Sequence, residues 1–465
     1  MSIKSTKMKT ELRTKFPPLN DAWWKVITIE PSVALFQITT VMSNQLYVNL
    51  YLQRACRFNA TREPDLRTKC DDEKGGQLFL THVNSWRYTV SMTLMIIFTV
   101  FVSSWSDKAG RRRRPLILIP LIGLVLVTIN GAVFSHFWTL PTRIIPWVEI
   151  FLHGITGGRL TVIFSSQLYI CDITNEKNRT TRLGVIHGIN IIAIPIGSGI
   201  VGFMMRYLGF TYSYLICTGL ATIAVILAML LMEDVSEPVE NNMRFWDYLN
   251  PTRVVESFRI IFKRRAYSKR KIIILLLGIE ALSLLPIIGE SSVLYLYLRY
   301  RFQWNEKDYS LYSVYKMTLV FIGTMFCTSV LSKYYKIHDG VLGAFASVFN
   351  TIAAVFFIFA CNTWQLYLAP VIDMFHGTGL TVVSAFVTKC LEKHETGHLM
   401  SVRCILQIVT PFCFPIYNYV YRNTIDFFPS AFFLINMFMT VPCILLFGLA
   451  YYLHSQTQIM EISPS

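Results

Sequence analysis

The chain has 465 residues, 53% of them hydrophobic and only 15% charged, with a mean hydropathy of +0.45. A soluble domain carries about 25% charged residues, so this composition argues against an ordinary globular protein and for a chain solvated largely by lipid. The net charge of +15 reads as a topology signal rather than as nucleic-acid binding, because cytoplasmic loops of membrane proteins collect Lys and Arg.

Residues 1–26 begin basic and polar, show no cleavable signal peptide, and read as a cytoplasmic tail. A membrane-crossing helix needs about 20 mainly apolar residues. Runs of that kind predict spans at 27–52, 84–105, 115–136, 145–171, 182–207 and 211–232, then at 271–300, 309–334, 338–361, 364–390, 398–422 and 429–453. The expected fold is therefore an all-α membrane protein of twelve helices. It divides into a first six-helix bundle over 27–232, a central cytoplasmic loop over 233–270, a second bundle over 271–453 and a tail over 454–465. The Lys- and Arg-rich 107–114, 173–182 and 253–271 stretches fall on one side if both termini are cytoplasmic. Within the central loop, Val254, Val255, Phe258, Ile261 and Phe262 recur at helical spacing among arginines and lysines. That pattern fits an amphipathic helix on the membrane surface or a solvated linker.

Most of the ten cysteines lie in apolar runs, where a thiol behaves as a small hydrophobe. Cys56 and Cys70 instead flank a polar stretch containing the sequon Asn59-Ala60-Thr61. On the expected topology this loop faces outward or into a lumen, which suits glycosylation at Asn59 and a disulfide; two unpaired thiols are the alternative. No G-x-x-x-x-G-K-[ST] motif occurs, so an intrinsic ATPase is not indicated.

Between the second and third spans stands SSWSDKAGRRRRP, Ser103 to Pro115. Its D-x-x-G-R-R core, Asp107, Gly110, Arg111 and Arg112, resembles the loop motif of the major facilitator superfamily, with Ser103 where that family usually has glycine. The resemblance implies two pseudo-symmetric six-helix halves. It also implies that Asp107 meets the amino terminus of the eleventh span, near His398, and latches the halves on the cytoplasmic side. The arginines can in addition pair with anionic headgroups. Three further stretches narrow the match: IEPSVALFQ from Ile29, YICDITNEKNRTTRLGVIHG from Tyr169, and YLNPTRVVESFRIIFKRRAYSKRK from Tyr248. Together they look like the proton-coupled folate transporter and its relatives, solute-carrier family forty-six, with divergent insect-like members nearest. That family implies transport of folates, steroid conjugates, muropeptides and related organic anions, commonly with protons. Where the folate transporter has a fifth-span glutamate this chain has His187, and Ser384 stands where a tenth-span basic residue is typical.

Ionisable groups inside spans are costly and therefore candidates for function. Arg159 lies mid-way along the fourth span, where it could hold a substrate carboxylate or pair with Glu290 or Glu280 of the seventh. Asp373 and His376 share a helix face in the tenth span and suit a proton relay or a packing pair. His187 and Asn190 are candidates for lining a cavity in the fifth span, Glu290 for substrate or proton coupling, and Glu30 belongs to the family motif near the cytoplasmic interface. No nucleophile–base or metal-ligand spacing stands out, so neither an enzyme nor a metal site nor a cofactor is expected beyond protons as the coupling ion. The sequence reads as a secondary transporter of a small organic anion in the plasma or endolysosomal membrane. Membrane lipids are its surroundings, nucleic acid is no partner, and it is a monomer or weak oligomer. An uncoupled facilitator or exporter, and a transporter-like receptor or scaffold, are the alternatives.

Overall fold

The computed structural model describes residues 28–57, 73–108, 113–174, 176–232, 269–390 and 406–462, and every regular element among them is helical. In chain order α1 is Glu30–Cys56, α2 Glu73–Lys108, α3 Arg114–His136, α4 Ile144–Thr156, α5 Gly158–Ile173 and α6 Glu176–Leu231. The second half contains α7 Lys269–Phe302, α8 Glu306–Phe326, α9 Asp339–Phe359, α10 Thr363–Ile372, α11 Thr378–Cys390, α12 Cys413–Thr424 and α13 Phe432–Ile462. Residues 1–27, most of the first loop, the central loop over 233–268 and the start of the expected eleventh span lie outside the described residues.

Among the described residues, eight helices are long and apolar enough to cross a membrane. The expected spans differ from these helices where the backbone breaks. The fourth span is two helices, α4 and α5, because Gly157 and Gly158 both take positive φ, 75° and 46°. A Cβ on Gly157 would also lie 2.0 Å from Thr161 Oγ1, so only glycine fits. The fifth and sixth spans run on as α6, turned by extended, positive-φ geometry at Gly209. The tenth span is α10, a tight 3-10 turn over Asp373–Phe375, and α11. Local capping explains several starts. Pro31 opens α1 beside Glu30, a position where its missing N–H costs nothing. Asn305 and Asp308 exchange side-chain and backbone bonds of 3.0 and 3.2 Å at the start of α8.

The buried residues of these helices separate by height. We term the end where α1 starts and α2 stops the basic end, and the opposite one the far end. At the far end one apolar cluster unites both halves: Tyr51, Leu52, Leu80 and Phe134 from the first pack with Val293, Tyr297, Phe357 and Phe433 from the second. At the basic end there are two separate clusters. One joins Ile29, Val33, Leu121, Ile170 and Ala228; the other joins Ile272, Leu276, Leu342, Phe386 and Phe447.

Polar contacts between the halves follow the same division. Tyr421 donates to Gln77 at 3.1 Å, Lys74 pairs with Asp426, and Tyr295 bonds Asn49, all at the far end. Nearer the middle, Thr89 donates to the Pro411 carbonyl at 3.0 Å and Tyr88 stacks on Phe414 with ring centres 4.8 Å apart. Small residues permit the close approach of α6 to α8, as in other lipid-embedded interfaces. A Cβ on Gly202 would stand 2.0 Å from Ser310 Oγ and 3.0 Å from the Glu306 carbonyl. Gly202→Val is therefore expected to prop the far end open. A cysteine placed at Asn49 should then react several-fold faster with a bulky maleimide, and an unchanged rate would mean that this contact does not hold the halves together.

Candidate functional site

Buried charged groups lie in both halves. In the second half, Lys316 of α8 reaches Glu290 of α7, with Nζ 2.6 Å from Oε1. The other Glu290 oxygen accepts from Asn436 of α13 at 2.7 Å, and the Tyr417 hydroxyl of α12 donates to Asn436 Oδ1 at 2.5 Å. Four helices thus close one network around a single carboxylate. Each ion offsets the desolvation cost of the other, and the amide and phenol fill remaining bonds. Lys316 Nζ also lies 5.2 Å from the centre of the Phe357 ring, within range of a cation–π contact.

Asp373 and His376 stand together as their spacing predicts, with Nδ1 3.2 Å from Oδ1. They do so on the 3-10 turn between α10 and α11 rather than on a continuous helix. The turn is pinned from α8: a Cβ on Gly323 would meet the Met374 carbonyl at 2.2 Å. Asp373 interacts electrostatically with Lys316 across the same space, so the turn and the α7–α8 pair form one electrostatic neighbourhood.

In the first half, Arg159 follows the Gly157–Gly158 break at the start of α5. Its Nε is buried without a hydrogen-bond partner, and it makes no ion pair among the described residues. The pairing of Arg159 with Glu290 considered from sequence does not form, because Lys316 and Asn436 occupy that carboxylate. The helix start beside Arg159 has no side-chain cap.

A second charged group lies toward the far end of the same half. Arg87 of α2 donates from Nη1 to Glu149 Oε2 of α4 at 2.6 Å, and His153 Nε2 is 3.9 Å from the other Glu149 oxygen. Tyr47 and Tyr88 cover the guanidinium, with ring centres 3.9 and 4.1 Å from its central carbon. Glu149, Tyr47, Ser43, Asn130 and Tyr214 line a small cavity beside it.

The remaining candidates divide clearly. Glu30 does not simply extend into solvent: Arg182 Nη2 bonds its Oε1 at 2.6 Å, and Thr28 N bonds Oε2 at 2.7 Å. This ties the start of α1 to the start of α6. Asn190 lies in α6 with a buried, unpartnered Oδ1. His187 lies on the α6 backbone and Asp107 in the last turn of α2, but both side chains fall outside the described residues, as do Gly110, Arg111, Arg112, Asn59 and Cys70. Cys56 is disulfide-bonded. The next arginine of the run, Arg113, turns inward rather than toward lipid headgroups. It is buried, with Nε 2.7 Å from Asp172 Oδ2 and Nη1 3.1 Å from Ser106 Oγ. Arg114 donates to the Met229 carbonyl at 2.6 Å.

Sequence reading missed Lys316, Asn436, Arg87, Glu149 and His153. The signal was present, since Arg87, Glu149 and Lys316 are ionisable residues inside long apolar runs, as Arg159 is.

Comparison with known proteins fits this geometry. Residues 81–407 match the family model described as Major Facilitator Superfamily. The lysosomal proton-coupled steroid conjugate and bile acid symporter SLC46A3 of Gallus gallus is 23% identical over 433 residues, covering 89% of this chain and 91% of that protein. The probable peptidoglycan muropeptide transporter SLC46 of Drosophila melanogaster is 22% identical over 423 residues, covering 87% of this chain and 80% of that protein. The crystal structure of the human organic anion transporter MFSD10 (TETRAN) superposes with a TM-score of 0.62 at 13% identity, over 91% of this chain and 97% of that one.

Proposed function

This chain belongs to the major facilitator superfamily, a family of transporters rather than enzymes, and is related to solute-carrier family 46; from that premise we propose that it is a proton-linked secondary transporter of an organic anion. It is a multi-pass integral membrane protein. The reading takes it as a twelve-span bundle with both termini cytoplasmic, in which cargo crosses between two six-helix halves by alternating access. The observation that carries the anion is Arg159, a cation in the middle of the fourth span with no acid partner among the described residues. A carboxylate or sulfonate of the cargo would complete it. The relatives named for steroid conjugates and bile acids and for muropeptides support that class of cargo, and the lysosomal relative favours an endolysosomal membrane.

Protons enter this reading through Asp373 and His376. The pair faces Lys316 and Glu290 on the neighbouring helices, so adding a proton changes the charge balance of the whole second-half site. Asn190, His187 and Glu290 line the proposed path. Asp107 and Gly110, with Arg111 and Arg112, form the proposed cytoplasmic latch. The shared core at the far end and separate cores at the basic end support assigning this conformation to the cytoplasm-facing stage of the cycle. Proteoliposomes test the reading. Labelled glycocholate should enter faster under an acid-outside gradient than at equal pH, and His376→Ala should flatten that dependence. Equal rates in the unsubstituted protein would refute proton coupling, and absence of any flux would refute transport.

A further inference from the structure

Arg87 has an empty side. The residue is 2% exposed, and its ion pair with Glu149 uses Nη1 alone. Nε and Nη2 are buried with no hydrogen-bond partner among the described residues. Those two nitrogens form the edge of the planar guanidinium that meets a carboxylate side-on through two parallel bonds. Leaving buried donors unmade is costly, and more so on a charged group. An arginine serving only as a structural partner for Glu149 would gain by turning this fork to the carboxylate, yet the fork stays open. Tyr47 and Tyr88 hold the guanidinium plane in place from α1 and α2. The Tyr47 hydroxyl is also buried and unpartnered, beside the small cavity lined by Ser43, Asn130 and Glu149.

Part of the cover over Arg87 belongs to the contact between the halves. Tyr88, which covers Arg87, stacks on Phe414, and the next residue, Thr89, bonds the Pro411 carbonyl. Separation of the halves at the far end would part these contacts and uncover the guanidinium from that side. We propose that the Nε–Nη2 edge of Arg87 is a second anion-binding site, for a carboxylate, exposed when Tyr88 and Phe414 separate. The proposal rests on the transport reading above and adds an entry position to it. Cargo meets Arg87 while the far end is open and passes to Arg159, further along α4 and α5, as that end closes. Glu149 stays on Nη1 and weakens the fork's hold, since its charge has the same sign as the ligand. The fork can therefore let the cargo go.

Equilibrium binding to the purified full chain tests this, with labelled glycocholate as the carboxylate and its uncharged methyl ester as control. Arg87→Lys keeps the charge and the Glu149 pair but loses the fork. It should weaken glycocholate binding about tenfold, the loss of roughly one charge-assisted bond, and leave the ester unchanged. Glu149→Gln should act in the opposite direction and tighten glycocholate severalfold. Wild-type affinity in Arg87→Lys, or an equal loss for both ligands, overturns the proposal. Should Arg87→Lys fail to fold, the sign of the Glu149→Gln effect decides: weaker or unchanged binding overturns it. A chain that binds glycocholate through Arg87 but does not move it across a membrane refutes the transport reading alone.

Discussion

Arg159→Gln is expected to reduce kcat/KM for glycocholate uptake by about 10- to 100-fold, the value of a charge-assisted hydrogen bond to a cargo anion, while costing the fold little or nothing. The two halves of that expectation come from the same observation. Arg159 has no acid partner among the described residues, so its removal strands no carboxylate. Its buried Nε has no bond to lose, and a neutral amide is cheaper to keep among apolar neighbours than an unpaired cation. Function and stability should therefore separate, as they do where a site is held at a cost to the fold. Uptake and thermal unfolding measured on the same preparation check this. A large fall in melting temperature would assign Arg159 to structure, and unaltered uptake would remove it from the path of the anion.

Glu290→Ala should have the opposite profile, destabilising the chain by about 3–5 kcal/mol, the usual cost of breaking one side of a buried ion pair. The substitution leaves the Lys316 ammonium and one Asn436 donor without their carboxylate in the middle of four packed helices. Lys316→Met should cost less, because Asn436 still bonds Glu290. The double variant Glu290→Gln, Lys316→Met should recover most of the loss, since no charge is left unmatched and the amide can still meet Asn436. Unfolding of Glu290→Gln, Lys316→Met and the double variant in detergent, compared with the unsubstituted chain as a double-mutant cycle, gives the coupling directly. Additive losses would show that the two side chains do not depend on each other. If the recovered double variant still fails to respond to an acid gradient, the pair has a part in proton coupling distinct from its part in packing.

The sequence carried the architecture further than the site. Apolar runs located the helices, and the gap left between 207 and 211 falls at Gly209, where the backbone turns. The three-residue spacing of Asp373 and His376 placed them in contact, because local spacing fixes such neighbours whether the backbone is α-helical or 3-10. Partners from different helices were not legible. Which carboxylate meets which cation depends on the rotation of each helix about its axis. Apolar runs that read as hydrophobic all round do not encode that rotation. Glu290 was open to Arg159 on sequence grounds and is taken by Lys316 instead. Arg87 and Glu149 show the same limit: each stands out in the sequence as an ionisable residue in an apolar run, but their meeting across α2 and α4 depends on helix rotation. Arg113 shows the same limit in reverse. In the sequence it is one of four equivalent arginines, whereas in the fold it is buried against Asp172.

The division of the apolar clusters also bears on how the chain can vary over time. Leu52 and Val293, or Phe134 and Phe357, belong to one cluster built by both halves. A change of volume at either must be answered by a residue hundreds of positions away in the other half. Leu121 and Phe386 belong to separate clusters, each contained in one half, and can be answered locally. Inherited substitutions are thus free to accumulate independently in the two halves at the basic end and must proceed in step at the far end. Exchanging whole halves between divergent homologues would strain that end first.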